Sequence, residues 1–214
     1  MFTKQSRESF FFSPFRAFAV VSFLFVFFAI STSGEEIRNY EGKRLSAYDR
    51  SYDNSIKGPQ KIDINKYRLE VEGKVENSLS LKYDEVLSLP HVKRVITLNC
   101  VEGWSETLLF EGIRFNDIFA KAKPSDGAKT VVFHAVDGYT SSLPYEFVVK
   151  NDLLLAFSIN GRVLDENRGF PFQVVAESKL GYKWVKWVTK IELIDKDYKG
   201  YWEKRGYSND ADLK

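Results

Sequence analysis

The sequence is poor in the two residue types that build most transition-metal sites in proteins. It contains one cysteine, Cys100, and two histidines, His91 and His134, among 214 residues. A single cysteine excludes a disulfide within this sequence, and two histidines far apart along the chain make a histidine-rich zinc, copper or haem site unexpected. The Gly-x-Gly-x-x-Gly, P-loop, His-Glu-x-x-His and Gly-x-Ser-x-Gly signatures are also absent. The sequence therefore gives no support for dinucleotide binding, nucleotide hydrolysis, zinc proteolysis or serine hydrolysis.

An excess of charge of either sign is also missing. The formal net charge of the whole sequence is +2, and removing the first 34 residues leaves 28 basic and 28 acidic residues. Because nucleic-acid binding relies on concentrated positive charge, we expect no nucleic-acid partner. A hydrophobic content of 44% with 28% charged residues is instead typical of a globular protein.

The N-terminal residues 1–34 have the pattern of a targeting segment. Lys4, Arg7 and Arg16 precede an apolar run over residues 17–30, which small residues then follow. A basic start, a short apolar run and a small-residue end predict a secretory signal peptide. A retained membrane anchor fits the same residues if the apolar run is lengthened towards the N-terminus. Both alternatives place the remainder outside the cytoplasm, in the periplasm or at the outer face of the cell membrane.

The remaining chain predicts an α+β domain. Residues 35–66 are polar, rich in tyrosine and without clear periodicity, so we expect an extended arm that precedes a domain over residues 67–214. Alternating or apolar segments predict strands at residues 67–73, 92–98, 130–136, 153–159, 172–176 and 184–194, and short helices at 80–87 and 115–122. Short strands with few, short helices favour mixed sheets over a doubly wound fold.

Cys100 follows directly after a predicted strand. A lone cysteine in this position is often a buried structural residue, because a free thiol packs as a small hydrophobic group. As a nucleophile it would require a nearby base, for which His134 is the candidate. As a thiolate ligand it would suit a soft metal, with the other ligands supplied by a cofactor. The residues alone leave these three interpretations open.

A basic aromatic segment, residues 181–190, is the second candidate. No acidic residue occurs from 178 to 191, while four lysines do. On an alternating strand Trp184, Lys186 and Val188 would share one face. The segment is either a solvated basic strand with structural tryptophans or an anion site. In the second case Lys186 and neighbouring backbone N–H groups would bind a phosphate.

Four motifs occur in the order found in the molybdopterin-binding domain of the sulfite-oxidase family. They are Cys-Val-Glu-Gly-Trp-Ser at 100–105, Gly-Phe-Pro-Phe at 169–172, Gly-Tyr-Lys-Trp-Val-Lys-Trp at 181–187, and Gly-Tyr-Trp with Arg-Gly-Tyr between 200 and 207. The chain resembles this family over most of its length, and it is most similar to the branch of exported protein-methionine-sulfoxide reductases. The resemblance implies a sulfite-oxidase-type fold and molybdenum bound by a pterin dithiolene, oxo groups and the Cys100 thiolate.

The same resemblance implies a set of cofactor contacts. By position they are Asp49, Tyr52, Asp53, Asn54, Cys100, Ala135, Arg168, Gln173, Lys183, Trp184, Val185 and Lys186. The phosphate of the pterin is implied near Trp184, Val185 and Lys186. Three of these positions depart from the residues common in the family. The family commonly has a small hydroxylated residue in place of Ala135, Asn or His in place of Arg168, and Arg in place of Gln173.

Glu102 and Trp104 bear on the substrate. Sulfite oxidases carry arginines just after the cysteine, and these form a cationic pocket for an oxyanion. An acidic and aromatic wall disfavours a dianion and suits a neutral S-oxide or N-oxide. We therefore expect Cys100, Glu102 and Trp104 to be the catalytic residues of a two-electron oxygen-atom transfer enzyme.

The resemblance also implies an electron donor, a membrane cytochrome b subunit, with the chain acting as a monomer or as a heterodimer with that subunit. Two alternatives remain at this point. One is a sulfite-oxidising dehydrogenase that passes electrons to a cytochrome. The other is a cofactor-free exported binding module, which the unusual residues Arg168 and Gln173 favour.

Overall fold

Two five-stranded sheets carry the fold in the computed structural model, which describes residues 35–49 and 55–213. The strands are β1 Asn39–Tyr40, β2 Lys43–Arg44, β3 Leu69–Gly73, β4 Leu79–Leu81, β5 His91–Asn99, β6 Ser105–Arg114, β7 Thr130–Ala135, β8 Thr140–Pro144, β9 Leu154–Ile159, β10 Arg162–Val163, β11 Gln173–Val175 and β12 Val188–Ile194. The α-helices are α1 Tyr83–Leu87, α2 Phe115–Ala122 and α3 Tyr145–Lys150, and two 3-10 helices span Gly181–Lys183 and Glu203–Arg205.

The first sheet is antiparallel. Its order is β10-β9-β6-β5, and β11 pairs with β9 beside this path. The long hairpin β5–β6 is in register from His91 opposite Ile113 to Asn99 opposite Ser105. Because β5 pairs with β6 along its whole length, the register fixes where the hairpin turn lies. The turn at residues 100–104 is therefore held at one end of this sheet.

The second sheet has the order β4-β3-β12-β7-β8. Its β12–β3 pair is parallel, while its other pairs are antiparallel. The prediction of an α+β domain with mixed sheets and few short helices is confirmed. Helix α2 also occupies the predicted residues 115–122, because Phe115, Ile118, Phe119 and Ala122 recur at helical spacing and are buried.

One cluster of buried side chains joins the two sheets. Phe110 of β6, Phe133 of β7 and Val174 of β11 belong to it and are fully buried. Phe115 lies 5.2 Å from Phe133 between ring centroids, and Phe110 lies 5.6 Å from Trp184. Such tilted aromatic contacts fix ring orientations as well as burying area. Trp184 is thus anchored in the core while it also borders the site described below.

The described part of the N-terminal arm lies along the first sheet. The short β1–β2 hairpin leads into residues whose backbone bonds to this sheet, with Ser46 N donating to Thr107 O at 2.8 Å. Leu45 and Tyr48 are buried. Earlier, Ile37 N donates to Asn160 O at 2.9 Å. The arm therefore reaches residue 48 as an ordered part of the fold.

The predicted targeting segment, residues 1–34, lies outside the described residues. Among the described residues, no helix is both long enough and apolar enough to cross a membrane.

The predicted strand over residues 184–194 is wrong in its first half. Gly181–Lys183 form a 3-10 helix, and β12 begins only at Val188. Trp187, at φ 51°, turns the chain between them. Trp184, Val185 and Trp187 are all buried, so the segment does not alternate between two faces. The pattern was misleading because tertiary burial of two tryptophans and a 3-10 turn replaced the regular pleat.

Candidate functional site

A cavity of about 370 Å³ opens at the end of the first sheet where β5 and β6 meet. This volume is in the range of small-molecule sites in proteins. Six parts of the chain line it, and the residues are Ser55, Ile56, Leu98, Cys100, Val101, Glu102, Trp104, Asp137, Tyr139, Gln173, Gly181, Tyr182, Trp184, Lys186, Trp187, Trp202 and Tyr207.

Cys100 lies on the hairpin turn between β5 and β6. Its backbone N–H donates to Trp104 O at 2.9 Å, and Gly103 N donates back to Cys100 O at 3.1 Å. Gly103 has φ +86°, a conformation that a side chain would oppose. These bonds tie the turn to itself, so the half-buried Cys100 is presented to the cavity from a fixed backbone.

Glu102 and Trp104 extend from the same turn. Trp104 Nε1 donates to Glu102 Oε2 at 3.1 Å, and both side chains line the cavity beside Cys100. Next to them, Val101 is 45% exposed. The turn thus brings together a thiol, a carboxylate, an indole and an apolar rim.

The opposite wall comes from the segment around the 3-10 helix Gly181–Lys183. Trp184 Nε1 donates to Lys179 O at 3.0 Å and Trp187 Nε1 to Glu166 O at 2.8 Å, which fixes both indoles. Lys186 lies between them and lines the cavity, with its ammonium donating to Asn167 O at 2.7 Å.

Gly169 makes room for Lys186. Gly169 has φ +96°, and a Cβ built there would lie 2.8 Å from the Lys186 Cβ. Any side chain at this position would therefore displace the lysine. The cationic residue at the cavity depends on this close backbone approach.

Asp137 is a buried acid that the sequence analysis did not single out. It is 3% exposed and lines the cavity, and its Oδ1 accepts from Tyr139 N at 2.8 Å. Among the described residues, its Oδ2 has no hydrogen-bond partner. A buried polar oxygen without a donor is costly, so this atom calls for a donor from a bound group.

Four aromatic side chains complete the lining. They are Tyr139, Tyr182, Trp202 and Tyr207. Burial, with the Glu203 carboxylate nearby, raises the pKa of Tyr182 to about 12 and also raises that of Tyr139. Both phenols are therefore neutral hydrogen-bond donors at physiological pH. Tyr182 and Trp202 belong to motifs noted in the sequence, but only the fold brings them together.

The structure brings six of the predicted site residues to the cavity, namely Cys100, Glu102, Trp104, Gln173, Trp184 and Lys186. Tyr52, Asp53 and Asn54 lie outside the described residues. Asp49, Ala135, Arg168, Lys183 and Val185 do not line the cavity.

The sequence analysis predicts that Arg168 contacts the cofactor, whereas in the structure its guanidinium bonds to protein groups. Its guanidinium donates to Glu106 Oε2 at 2.8 Å and to the Tyr48 carbonyl from Nε at 3.0 Å and from Nη2 at 2.6 Å. Both charged side chains are nearly fully buried. The guanidinium thus fastens the arm at Tyr48 to β6.

Lys183 is likewise turned inward. Its ammonium donates to Glu203 Oε1 at 2.5 Å and to Ser142 O at 2.9 Å, with neither charged side chain exposed. Burial lowers the pKa of Lys183, and the hydrogen bond with Glu203 opposes that shift. A lysine three residues before Lys186 therefore faces the interior instead of the cavity.

Val185 and Ala135 make backbone hydrogen bonds within the fold, and Asp49 lies on the surface. Val185 is buried and its carbonyl accepts from Val174 N at 2.8 Å. Ala135 N donates to Tyr139 O at 2.9 Å and so supports the turn that carries Asp137. Asp49 is exposed.

Residues 56–202 match the family described as the oxidoreductase molybdopterin binding domain. The chain belongs to this family. It is a molybdopterin-dependent oxidoreductase, and the resemblance to the sulfite-oxidase family is confirmed.

Relatives with assigned names lie in the same group. The chain is 32% identical over 150 residues to the uncharacterized oxidoreductase YuiH of Bacillus subtilis, covering 70% of this chain and 76% of that protein. It is 32% identical over 149 residues to the putative protein-methionine-sulfoxide reductase subunit YedZ1 of Azospira oryzae, covering 70% and 57%. It is 26% identical over 161 residues to the catalytic subunit MsrP of Campylobacter jejuni, covering 67% and 54%. The chain thus spans little more than half the length of the two reductase subunits.

A solved structure supports the fold. The sulfane dehydrogenase SoxCD from Paracoccus pantotrophus is similar with a TM-score of 0.62 at 24% identity, over 65% of this chain and 41% of that one. The likeness confirms the sulfite-oxidase-type fold.

The residues at the cavity fit a pterin-bound metal. The Cys100 thiol offers a soft ligand, and the Lys186 ammonium offers a cation for a phosphate. The partnerless Asp137 Oδ2 suits an N–H donor of a heterocycle, and the indoles of Trp184 and Trp187 suit a flat ring. In the part of the chain that the structure describes, no group of three His, Cys, Asp or Glu residues could hold a metal by itself.

Proposed function

We propose that the cavity holds a molybdenum–molybdopterin cofactor and that the protein reduces S-oxide or N-oxide substrates outside the cytoplasm. The observation that carries the proposal is the Cys100 thiol, presented by a fixed turn at the same cavity that Lys186 and Asp137 line. When bound, the cofactor supplies two-electron oxygen-atom transfer.

Four cavity residues have a role in holding the cofactor under this proposal. Cys100 is the protein ligand to molybdenum. Lys186 binds the phosphate of the pterin, and Asp137 accepts a hydrogen bond from the pterin ring. Gln173 offers an amide at a position where the family commonly has arginine, so it orients a neighbouring polar group without adding charge.

The substrate side of the cavity favours a neutral oxide over sulfite. The carboxylate of Glu102 stands beside Cys100 and opposes a sulfur dianion. The rim is apolar, since Val101 is 45% and Tyr207 39% exposed. Methyl and thioether groups bind well on such a surface. Two relatives bear the name protein-methionine-sulfoxide reductase, which supports an S-oxide carried on a polypeptide.

The proposal extends to location and partner. Residues 1–34 are a signal peptide or membrane anchor, residues 35–66 an arm, and residues 67–214 the cofactor domain. The reduced state is restored by an electron-donating partner, a membrane cytochrome b subunit. The relatives' names as subunits support a partnered enzyme.

The test measures metal and reactivity in the same preparations. Full-length protein from a host that makes the cofactor is compared with Cys100→Ser and with Ser105→Ala, a control directly after the same turn that does not line the cavity. Molybdenum is measured by mass spectrometry, and methionine S-oxide reduction with a reduced viologen dye. We expect one molybdenum per protein molecule, together with S-oxide reductase activity, in the wild type and the control. Cys100→Ser should lose both.

Two results would overturn the proposal. Wild-type protein without molybdenum would remove the cofactor and favour a binding module. Molybdenum with sulfite oxidation but no S-oxide reduction would replace the substrate, since an oxidised dye reports that reaction directly.

A further inference from the structure

Tyr182, Trp202 and Tyr207 form an aromatic wall of the cavity. A buried ion pair lies next to this wall in sequence. Lys183 and Glu203 are both 0% exposed at the side chain, and their Nζ and Oε1 atoms are 2.5 Å apart. Ser141 Oγ donates to the same Glu203 oxygen at 2.5 Å. Neither charged residue lines the cavity. The proposed chemistry makes no use of this pair.

Each member of the pair is adjacent in sequence to an aromatic residue of the wall. Tyr182 precedes Lys183 and Trp202 precedes Glu203, and both aromatic residues line the cavity. The third aromatic residue of the wall, Tyr207, closes the turn after Glu203, and its backbone N–H donates to Trp202 O at 3.2 Å. The pair therefore joins the two chain segments that build the wall.

The rings of these two segments are packed against one another. Tyr207 lies 5.3 Å from Tyr182 and 5.1 Å from Trp202 between centroids. The Tyr182 hydroxyl donates to Ser208 O at 2.7 Å, and its carbonyl accepts from Tyr139 OH at 2.5 Å. The wall is thus one unit made from segments that are distant in sequence.

Gly200 permits the close approach of the acidic partner. A Cβ there would lie 2.8 Å from Glu203 Oε2 and 2.2 Å from Thr140 O. The chain at Gly200 thus packs directly on β8, and the carboxylate beneath it reaches Lys183. A pair of well-packed apolar residues could fill the same space with equal or better stability. An ionic pair differs in fixing one relative position of the two segments.

We propose that Lys183 and Glu203 are positioning residues that hold Tyr182, Trp202 and Tyr207 where they contact the organic part of the substrate. The inference rests on the proposed function, because it assigns the wall to substrate binding. It specifies that the substrate carries an apolar group next to its oxide, such as the methyl thioether end of methionine S-oxide. Aromatic edges and faces attract such sulfur-bearing groups.

The experiment compares three variants in the cofactor-loaded enzyme: Lys183→Met with Glu203→Leu, Lys183→Arg, and Glu203→Gln. Lys190→Met is the matched control, because Lys190 also pairs with a glutamate, Glu72 at 2.9 Å, away from the cavity. Molybdenum content and thermal stability are measured first. In variants that fold and hold the metal, we expect the KM for methionine S-oxide to rise about tenfold, more than kcat falls. The control keeps the wild-type KM.

A second measurement does not depend on activity. Hydrogen–deuterium exchange followed by mass spectrometry reports the mobility of residues 178–187 and 199–208. We expect faster exchange in both segments in each folded variant, at unchanged exchange of β5 and β6.

The outcomes separate the two proposals. Wild-type KM and wild-type exchange in every folded variant would overturn the positioning role. Faster exchange in the folded variants, together with a wild type that has no S-oxide reductase activity, would keep the positioning role for the wall and refute the substrate. A substitution that merely weakened the fold would lower the melting temperature without splitting KM from kcat.

Discussion

The buried guanidinium of Arg168 makes a sharp prediction about stability. Replacing Arg168 with Met keeps much of the aliphatic volume but removes the donors to Glu106 and to the Tyr48 carbonyl. Glu106 is only 2% exposed at the side chain, so its carboxylate would stay buried without its cationic partner. The Tyr48 carbonyl would lose its hydrogen bonds from the guanidinium at the same time, while the Tyr48 hydroxyl would keep its bonds to Val163 O and Asp165 N.

The size of the effect follows from this geometry. Removing one member of a buried ion pair costs about 3–5 kcal/mol, because the other charge is left uncompensated. For a chain of this length a loss of 1 kcal/mol lowers the melting temperature by about 2–4 °C, so we expect a fall of about 6–20 °C. The double variant Arg168→Met with Glu106→Leu leaves no charge behind, and it should regain at least half of the loss.

Thermal and urea unfolding followed by circular dichroism would measure these changes. Arg162→Met is the control, because Arg162 stacks on the same Tyr48 ring at 4.4 Å without a buried carboxylate partner. Its loss should stay below about 1 kcal/mol. A cost for Arg168→Met no larger than that of the control would refute the argument. So would a double variant less stable than the single one.

Two further predictions concern the site and the pH dependence of stability. Gly169→Ala forces Lys186 away by its added Cβ, so pterin content, measured by fluorescence of the released pterin, should fall several-fold; full occupancy would place the phosphate elsewhere. Burial lowers the pKa of His134, against the opposing hydrogen bond with Glu192, so the native state binds its proton less tightly than the unfolded chain does. Stability should therefore fall as pH drops through about 6.5, and His134→Gln should lose less stability than wild type between about pH 7.5 and 5.5 in urea titrations; equal losses would contradict this.

The regular elements followed from local pattern where one face is buried. Helix α2 was predicted with its correct bounds because the apolar residues at helical spacing stop before Lys123, which is followed by a proline. In the structure Lys123 ends the helix with a φ of 52°. Strand β6 was missed, since six of its ten residues are buried and the alternation that marks a half-buried strand is absent. Helix α3 and strand β8 were missed as well.

The buried charges were beyond any local pattern. Glu106, Arg168, Lys183 and Glu203 are charged residues that a sequence places on the surface by default. Each is buried because its partner comes from a distant segment, 62 residues away for the first pair and 20 for the second. Only the folded chain shows that Arg168 bonds the arm to β6 and that Lys183 bonds Glu203 of the C-terminal segment.

By itself the sequence determined the family and the position of its single thiol. Ordered motifs place Cys100 after a strand, and strand periodicity is a local property of the chain. The tertiary structure decided which basic residue meets the cavity. Lys183 and Lys186 are three residues apart and chemically alike, yet the 3-10 turn and the left-handed Trp187 direct one to Glu203 and leave the other at the cavity. Backbone direction, and not residue type, makes that choice.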